Sequence, residues 1–104
     1  MAAKELRHMV GEILIVGVEG TQLSAVERAW IKLIQPGGVI LFRRNIDTVE
    51  QTRELLNTVS ENSPAAGFRC VDVEGGLVDR LRDVIAAMPS AAAVAATGSK
   101  RLWQ

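Results

Sequence analysis

The sequence predicts an α/β fold centred on a parallel sheet, and three observations carry that expectation. Residues 12–18, 39–42 and 68–73 are short, nearly continuous aliphatic and β-branched runs. Strands covered on both faces read this way, and parallel sheets are built from them. Between the runs lie segments with helical apolar spacing and recognisable starts and stops. The connections are short, so the order βαβαβ implies right-handed crossovers with helices packed on the sheet. An open doubly wound sheet and a (β/α)8 barrel both satisfy this pattern, and both place ligand sites beyond the C-terminal strand ends.

Each element has a local reason. Residues 3–10 suit a short helix ending at Gly11, and residues 12–18 form the first strand. After the turn Glu19-Gly20-Thr21, Ser24 and Glu27 have the spacing of a capping box. The helix they open carries Val26, Ala29, Trp30, Leu33 and Ile34 on one face, and Pro36-Gly37-Gly38 ends it. Residues 39–42 make the second strand, with Arg43, Arg44 and Asn45 at its C-terminal end. Asp47 and Glu50 suggest another capping box, opening a helix through Val49, Thr52, Leu55, Leu56 and Val59 that Asn62-Ser63-Pro64 breaks. Residues 68–73 make the third strand. Ser90 then caps an alanine-rich helix closed by Gly98, and residues 99–103 read as the start of a further helical turn.

Composition narrows the function. A chain of 104 residues holds one domain or part of one. Twelve basic side chains balance twelve acidic ones, and aromatics make up only 4%, so a nucleic-acid surface is not expected. No apolar run approaches the roughly 20 residues of a membrane span, and the first ten residues lack a signal-peptide core. The single cysteine, Cys70, sits in a strand pattern as a small hydrophobe and fits a reducing, cytoplasmic setting. No cofactor is expected. His8 has no partners for a metal site, Gly75-Gly76 lacks dinucleotide spacing, and no Walker lysine loop occurs.

The polar residues that could carry chemistry gather at strand ends. Asp72 and Glu74 lie two apart at the third, on one face with roughly 6.6 Å between Cα atoms if the chain stays extended. That spacing admits an acid–base pair, but hydrogen bonding of Asp72 to a polar ligand such as a sugar is the better reading. Arg80 offers a planar fork to a ligand oxygen, or an ion pair to Asp72, Asp79 or Asp83. Gly75 and Gly76 would let backbone approach a ligand. Arg44 and Asn45 are either ligand-facing or braces for neighbouring loops.

These residues resemble a known family. The segments 9–17, 37–46 and 71–81 are similar, in order, to the N-terminal catalytic domain of glycoside hydrolase family 3, in its β-N-acetylhexosaminidase branch. Gly37-Gly38-Val39-Ile40-Leu41-Phe42-Arg43-Arg44-Asn45 resembles the family's Gly-Gly-(Val/Ile)-Ile-Leu-Phe-x-Arg-Asn segment. Residues 72–80 resemble its Asp-Gln-Glu-Gly-Gly-Arg-Val-x-Arg signature, and Pro89-Ser90-Ala91 fits its next block.

The resemblance implies a partial (β/α)8, or TIM, barrel, with residues 1–104 as its truncated N-terminal portion of about three βα units; a full barrel takes about 250 residues. It implies a retaining hydrolase of terminal β-linked N-acetylglucosamine-type sugars, as in cell-wall recycling. Asp72 and Arg80 would contact the sugar, supported by Glu74, Gly75, Gly76, Arg44 and Asn45. The family's Lys-His-Phe-Pro-Gly-His-Gly and Ser-Asp-Asp motifs, which carry the acid/base and the nucleophile, do not occur in these 104 residues. No catalytic residue is therefore assigned, and the chain alone is expected to be inactive. Val73 and Leu77 stand where Gln and Arg are usual, so two polar groups are missing around the site. Open sheet edges would favour self-association. A small sugar-binding α/β module and a β-glucosidase-type member are the alternatives.

Overall fold

The computed structural model describes residues 2–103. Helix α1 spans Ala3–Glu12, strand β1 Ile15–Gly17, helix α2 Ala25–Ile34 and strand β2 Gly38–Leu41. A short 3-10 turn at Arg43–Asn45 leads to helix α3, Val49–Asn62, and strand β3, Phe68–Val71. A small hairpin follows, β4 Val73–Gly75 and β5 Val78–Asp79, and then helix α4, Ala91–Ala96. The expected βαβαβ alternation is present, as a parallel sheet in the order β1-β2-β3.

The α2 cap forms as its sequence predicts: Ser24 Oγ accepts from the Glu27 amide at 3.1 Å, and Glu27 Oε2 accepts from the Ser24 amide at 2.8 Å. The α3 cap does not. The N-cap is Thr48, whose hydroxyl accepts from the Gln51 amide, while Gln51 Oε1 accepts from Asp47 N–H. The proposed Asp47–Glu50 box is therefore displaced by one residue. Gln51 selects the register, because its amide also donates to Thr21 O and Asn45 O and ties the helix start to two loops.

The core lies between the sheet and helices α2 and α3. It comprises Val18, Leu23, Ile31, Val39, Leu41, Ile46, Leu55, Val59 and Ala66. Val39 and Leu41 of the central strand point to this side, as alternate strand residues must. The opposite face is bare. Register partners Ile15, Gly38 and Phe68 share it, with Ile15 50% and Phe68 67% exposed. Gly38 is required there, because a Cβ would stand 2.6 Å from the Phe68 Cβ.

Three sequence expectations are corrected here. Residues 12–18 do not form a strand covered on both faces: β1 has three residues, is an outer strand, and leaves Ile15 exposed. The stripe on α2 is not a core face either. Val26, Trp30 and Leu33 are exposed, and Ile31 makes the buried contact. Cys70 is half-buried rather than enclosed. The Cα radius of gyration, 17.0 Å, exceeds the roughly 13 Å of a compact 100-residue domain, as one-sided packing requires. No helix among the described residues is long and apolar enough to cross a membrane.

Candidate functional site

The parallel strands bring their C-terminal ends to one rim, where the residues after β1, β2 and β3 meet. The first sector is closed by its own hydrogen bonds. Asn45 is fully buried: its Nδ2 donates to Val18 O at 3.0 Å and Gly20 O at 2.8 Å, and its Oδ1 accepts from Phe42 N–H at 2.8 Å. Arg44 donates from Nε to Glu19 O and from Nη2 to Val18 O, both at 3.1 Å, with its guanidinium 4.8 Å from the Phe42 ring centre. Of the two readings open for these residues, bracing is the one the geometry realises. Glu27 ties the same loop from below, accepting from Glu19 N–H at 2.7 Å. The Ser24 amide does most to hold the Glu27 carboxyl below its ordinary pKa; burial pulls upward, and the Glu19 amide and the Ser24 hydroxyl add to the lowering.

The second sector follows β3. The strand ends at Val71, and Asp72 turns the chain into the β4–β5 hairpin. Val73 pairs with Asp79, so the next pair outward is Asp72 with Arg80, and Arg80 N–H donates to Asp72 O at 3.3 Å. The two residues singled out as sugar contacts are thus neighbours across the base of one hairpin. No ion pair joins Arg80 to Asp72, Asp79 or Asp83 among the described residues; Asp83 instead pairs with Arg43 at 2.6 Å. Arg80 Nε is buried without a hydrogen-bond partner, the one such side-chain atom among the described residues. Buried donors are nearly always satisfied, so this one is an exception that acceptors among the described residues do not account for.

Gly75 and Gly76 serve a purpose the sequence did not reveal. Both have positive φ, and a Cβ on Gly75 would stand 1.9 Å from Pro89 O. The glycines admit the 88–90 segment rather than open backbone, and Gly76 N–H donates to Met88 O at 2.9 Å. Arg82 caps the hairpin turn through Gly76 O. Glu74 is exposed and lines an open groove of about 730 Å3 between the hairpin and Ser90-Ala91. Val73 and Leu77, the two departures, are both solvent-exposed, Leu77 at 95%. Asp79 was not singled out as a site residue, although an Asp two residues before a turn amide is the mark of an Asx turn. A larger concavity, about 870 Å3, lies between α1 and α2 and contains none of the strand-end residues. No cluster of metal-ligating side chains occurs among the described residues.

The parallel order β1-β2-β3 defines an α/β protein whose polar residues gather at the C-terminal strand ends. The chain belongs to glycosyl hydrolase family 3: residues 5–104 match the model of the family's N terminal domain. Its relatives are β-hexosaminidases. One from Xanthomonas oryzae pv. oryzae is 41% identical over 76 residues, covering 73% of this chain and 23% of the relative. One from Stenotrophomonas maltophilia is 38% identical over 77 residues, covering 74% and 23%. The chain thus spans about a quarter of the length of these curated relatives. Among solved structures, the family 3 β-N-acetylglucosaminidase of Paenibacillus sp. str. FPU-7 aligns with a TM-score of 0.82 at 29% identity, covering 93% of this chain and 19% of that one. NagZ from Neisseria gonorrhoeae, in complex with N-trifluoroacetyl-D-glucosamine, aligns with a TM-score of 0.67 at 28% identity, covering 73% and 22%.

Proposed function

We propose that residues 1–104 are the N-terminal portion of a (β/α)8 barrel of a retaining hydrolase for terminal β-linked N-acetylglucosamine-type sugars, in a cytoplasmic setting. In this reading the chain supplies about three barrel units and one corner of the sugar site. Asp72 accepts sugar hydroxyls and Arg80 donates to a sugar oxygen, while the β1 and β2 ends support the rim. The bond-breaking groups lie outside these residues, so the chain alone binds and does not cleave. The observation that carries this is the Asp72–Arg80 adjacency across the hairpin, with Arg80 Nε lacking an acceptor among the described residues. The bare sheet face and the two outer strands, each paired along one edge only among the described residues, support a partial barrel and a tendency of the isolated chain to associate.

The test is an assay of the purified chain with an aryl N-acetyl-β-glucosaminide beside a titration with N-acetylglucosamine. Saturable binding without turnover is expected, with binding lost in Asp72→Ala. Robust turnover abolished by Asp72→Ala would defeat the division of labour. Absence of saturable binding would defeat the sugar corner.

A further inference from the structure

We infer that Asp79 is a positioning residue, which holds the 80–88 loop closed and thereby sets the Arg80 guanidinium at the rim. The inference deepens the sugar-site reading and rests on it for the identity of the ligand. Asp79 is 2% exposed and has no cationic partner among the described residues. Its carboxylate is satisfied by backbone instead. Oδ1 accepts from Leu81 N–H at 3.2 Å and Oδ2 from Met88 N–H at 2.9 Å. One side chain therefore grips both ends of the loop that starts at Arg80.

The surroundings make that grip consequential. The Met88 carbonyl accepts from Gly76 N–H at 2.9 Å, so the residue held by Asp79 also seats the far end of the loop on the hairpin. Gly75 leaves room for Pro89 there. Arg80 itself is fixed only at its backbone, through Asp72 O, and its Nε is buried without a protein acceptor. No hydrogen bond from the guanidinium occurs among the described residues, so its placement rests on packing and on the backbone of the loop that carries it. A carboxylate suits this task because it offers two acceptor oxygens and no donor to two converging amides. Asparagine would set an NH2 group against one of them.

The experiment is 15N NMR on the 104-residue chain, reading the Arg80 Nε–H together with the amides of Leu81, Met88, Val39 and Val59, followed by titration with N-acetylglucosamine. The wild-type Nε–H should exchange slowly and give a resolved signal. In Asp79→Ala that signal is expected to be lost, and exchange at Leu81 and Met88 to rise at least about tenfold, with Val39 and Val59 unchanged. Asp79→Asn keeps one acceptor and should fall between the two. Affinity for N-acetylglucosamine should weaken by roughly tenfold in Asp79→Ala. An Arg80 signal unmoved in both variants overturns the proposal. If Asp79→Ala also exposes Val39 and Val59, the Asp79→Asn variant decides by the same signal. If the wild type ignores the sugar while the Arg80 signal still follows Asp79, the ligand assignment fails and the positioning role stands.

Discussion

At the end of β2, Arg44 and Asn45 turn their donors toward the carbonyls of Val18, Glu19 and Gly20. At the end of β3, Arg80 keeps a guanidinium with no protein acceptor, beside an Asp72 joined to it only through backbone. Both ends carry an arginine and a small polar residue after an apolar strand. One is architecture, and the other is where the proposed sugar contact falls. What separates them is a neighbour: the β1 loop presents three carbonyls to the β2 end, whereas the hairpin after β3 satisfies its own backbone and leaves side chains over.

The contrast can be broken by mutation. The largest effect is expected from Asn45→Ala, which strands Val18 O, Gly20 O and Phe42 N–H and should cost about 3 kcal/mol in denaturant unfolding. A loss under about 1 kcal/mol would mean that the first sector is not a brace. A smaller effect comes from pH. Because the Glu27 carboxyl is held below its ordinary value, its contribution is complete above the unfolded pKa. It is lost as pH falls through the folded value, so the stability gap between wild type and Glu27→Gln should begin to narrow near the ordinary carboxyl value of 4.5 and close only below the lowered folded one. A gap that persists into stronger acid would rule out this linkage. The smallest effect is expected at the open sector. Asp72→Ala should change stability by no more than about 0.5 kcal/mol, since no hydrogen bond of its side chain occurs among the described residues. A large thermal shift in that variant would make Asp72 a structural residue and erase the difference between the two ends.

Much of this was legible in the residues. The strand–helix alternation, the Ser24–Glu27 cap and the placing of Asp72 with Arg80 at one rim all follow from local pattern. What escaped depended on long-range partners. Asp47-Thr48-Val49-Glu50-Gln51 contains two overlapping capping registers, and only contacts from Gln51 to Thr21 and Asn45 choose between them. Trp30 and Leu33 have core-like spacing, but both stay exposed because no element among the described residues covers them. Gly75 looked like a ligand approach because the sequence cannot show that Pro89 returns to occupy the space. Asp79 was overlooked because its second partner, Met88, is nine residues away.

The two outermost strands of the sheet, β1 and β3, run in the same direction. Growth by adding another copy is therefore polar: each newcomer that docks on one flank offers an identical vacant flank beyond itself. Unlike a two-fold pair, such an arrangement has no built-in stopping point. Were copies to pair in this way, the twist of the sheet would decide between a ring and an open fibre.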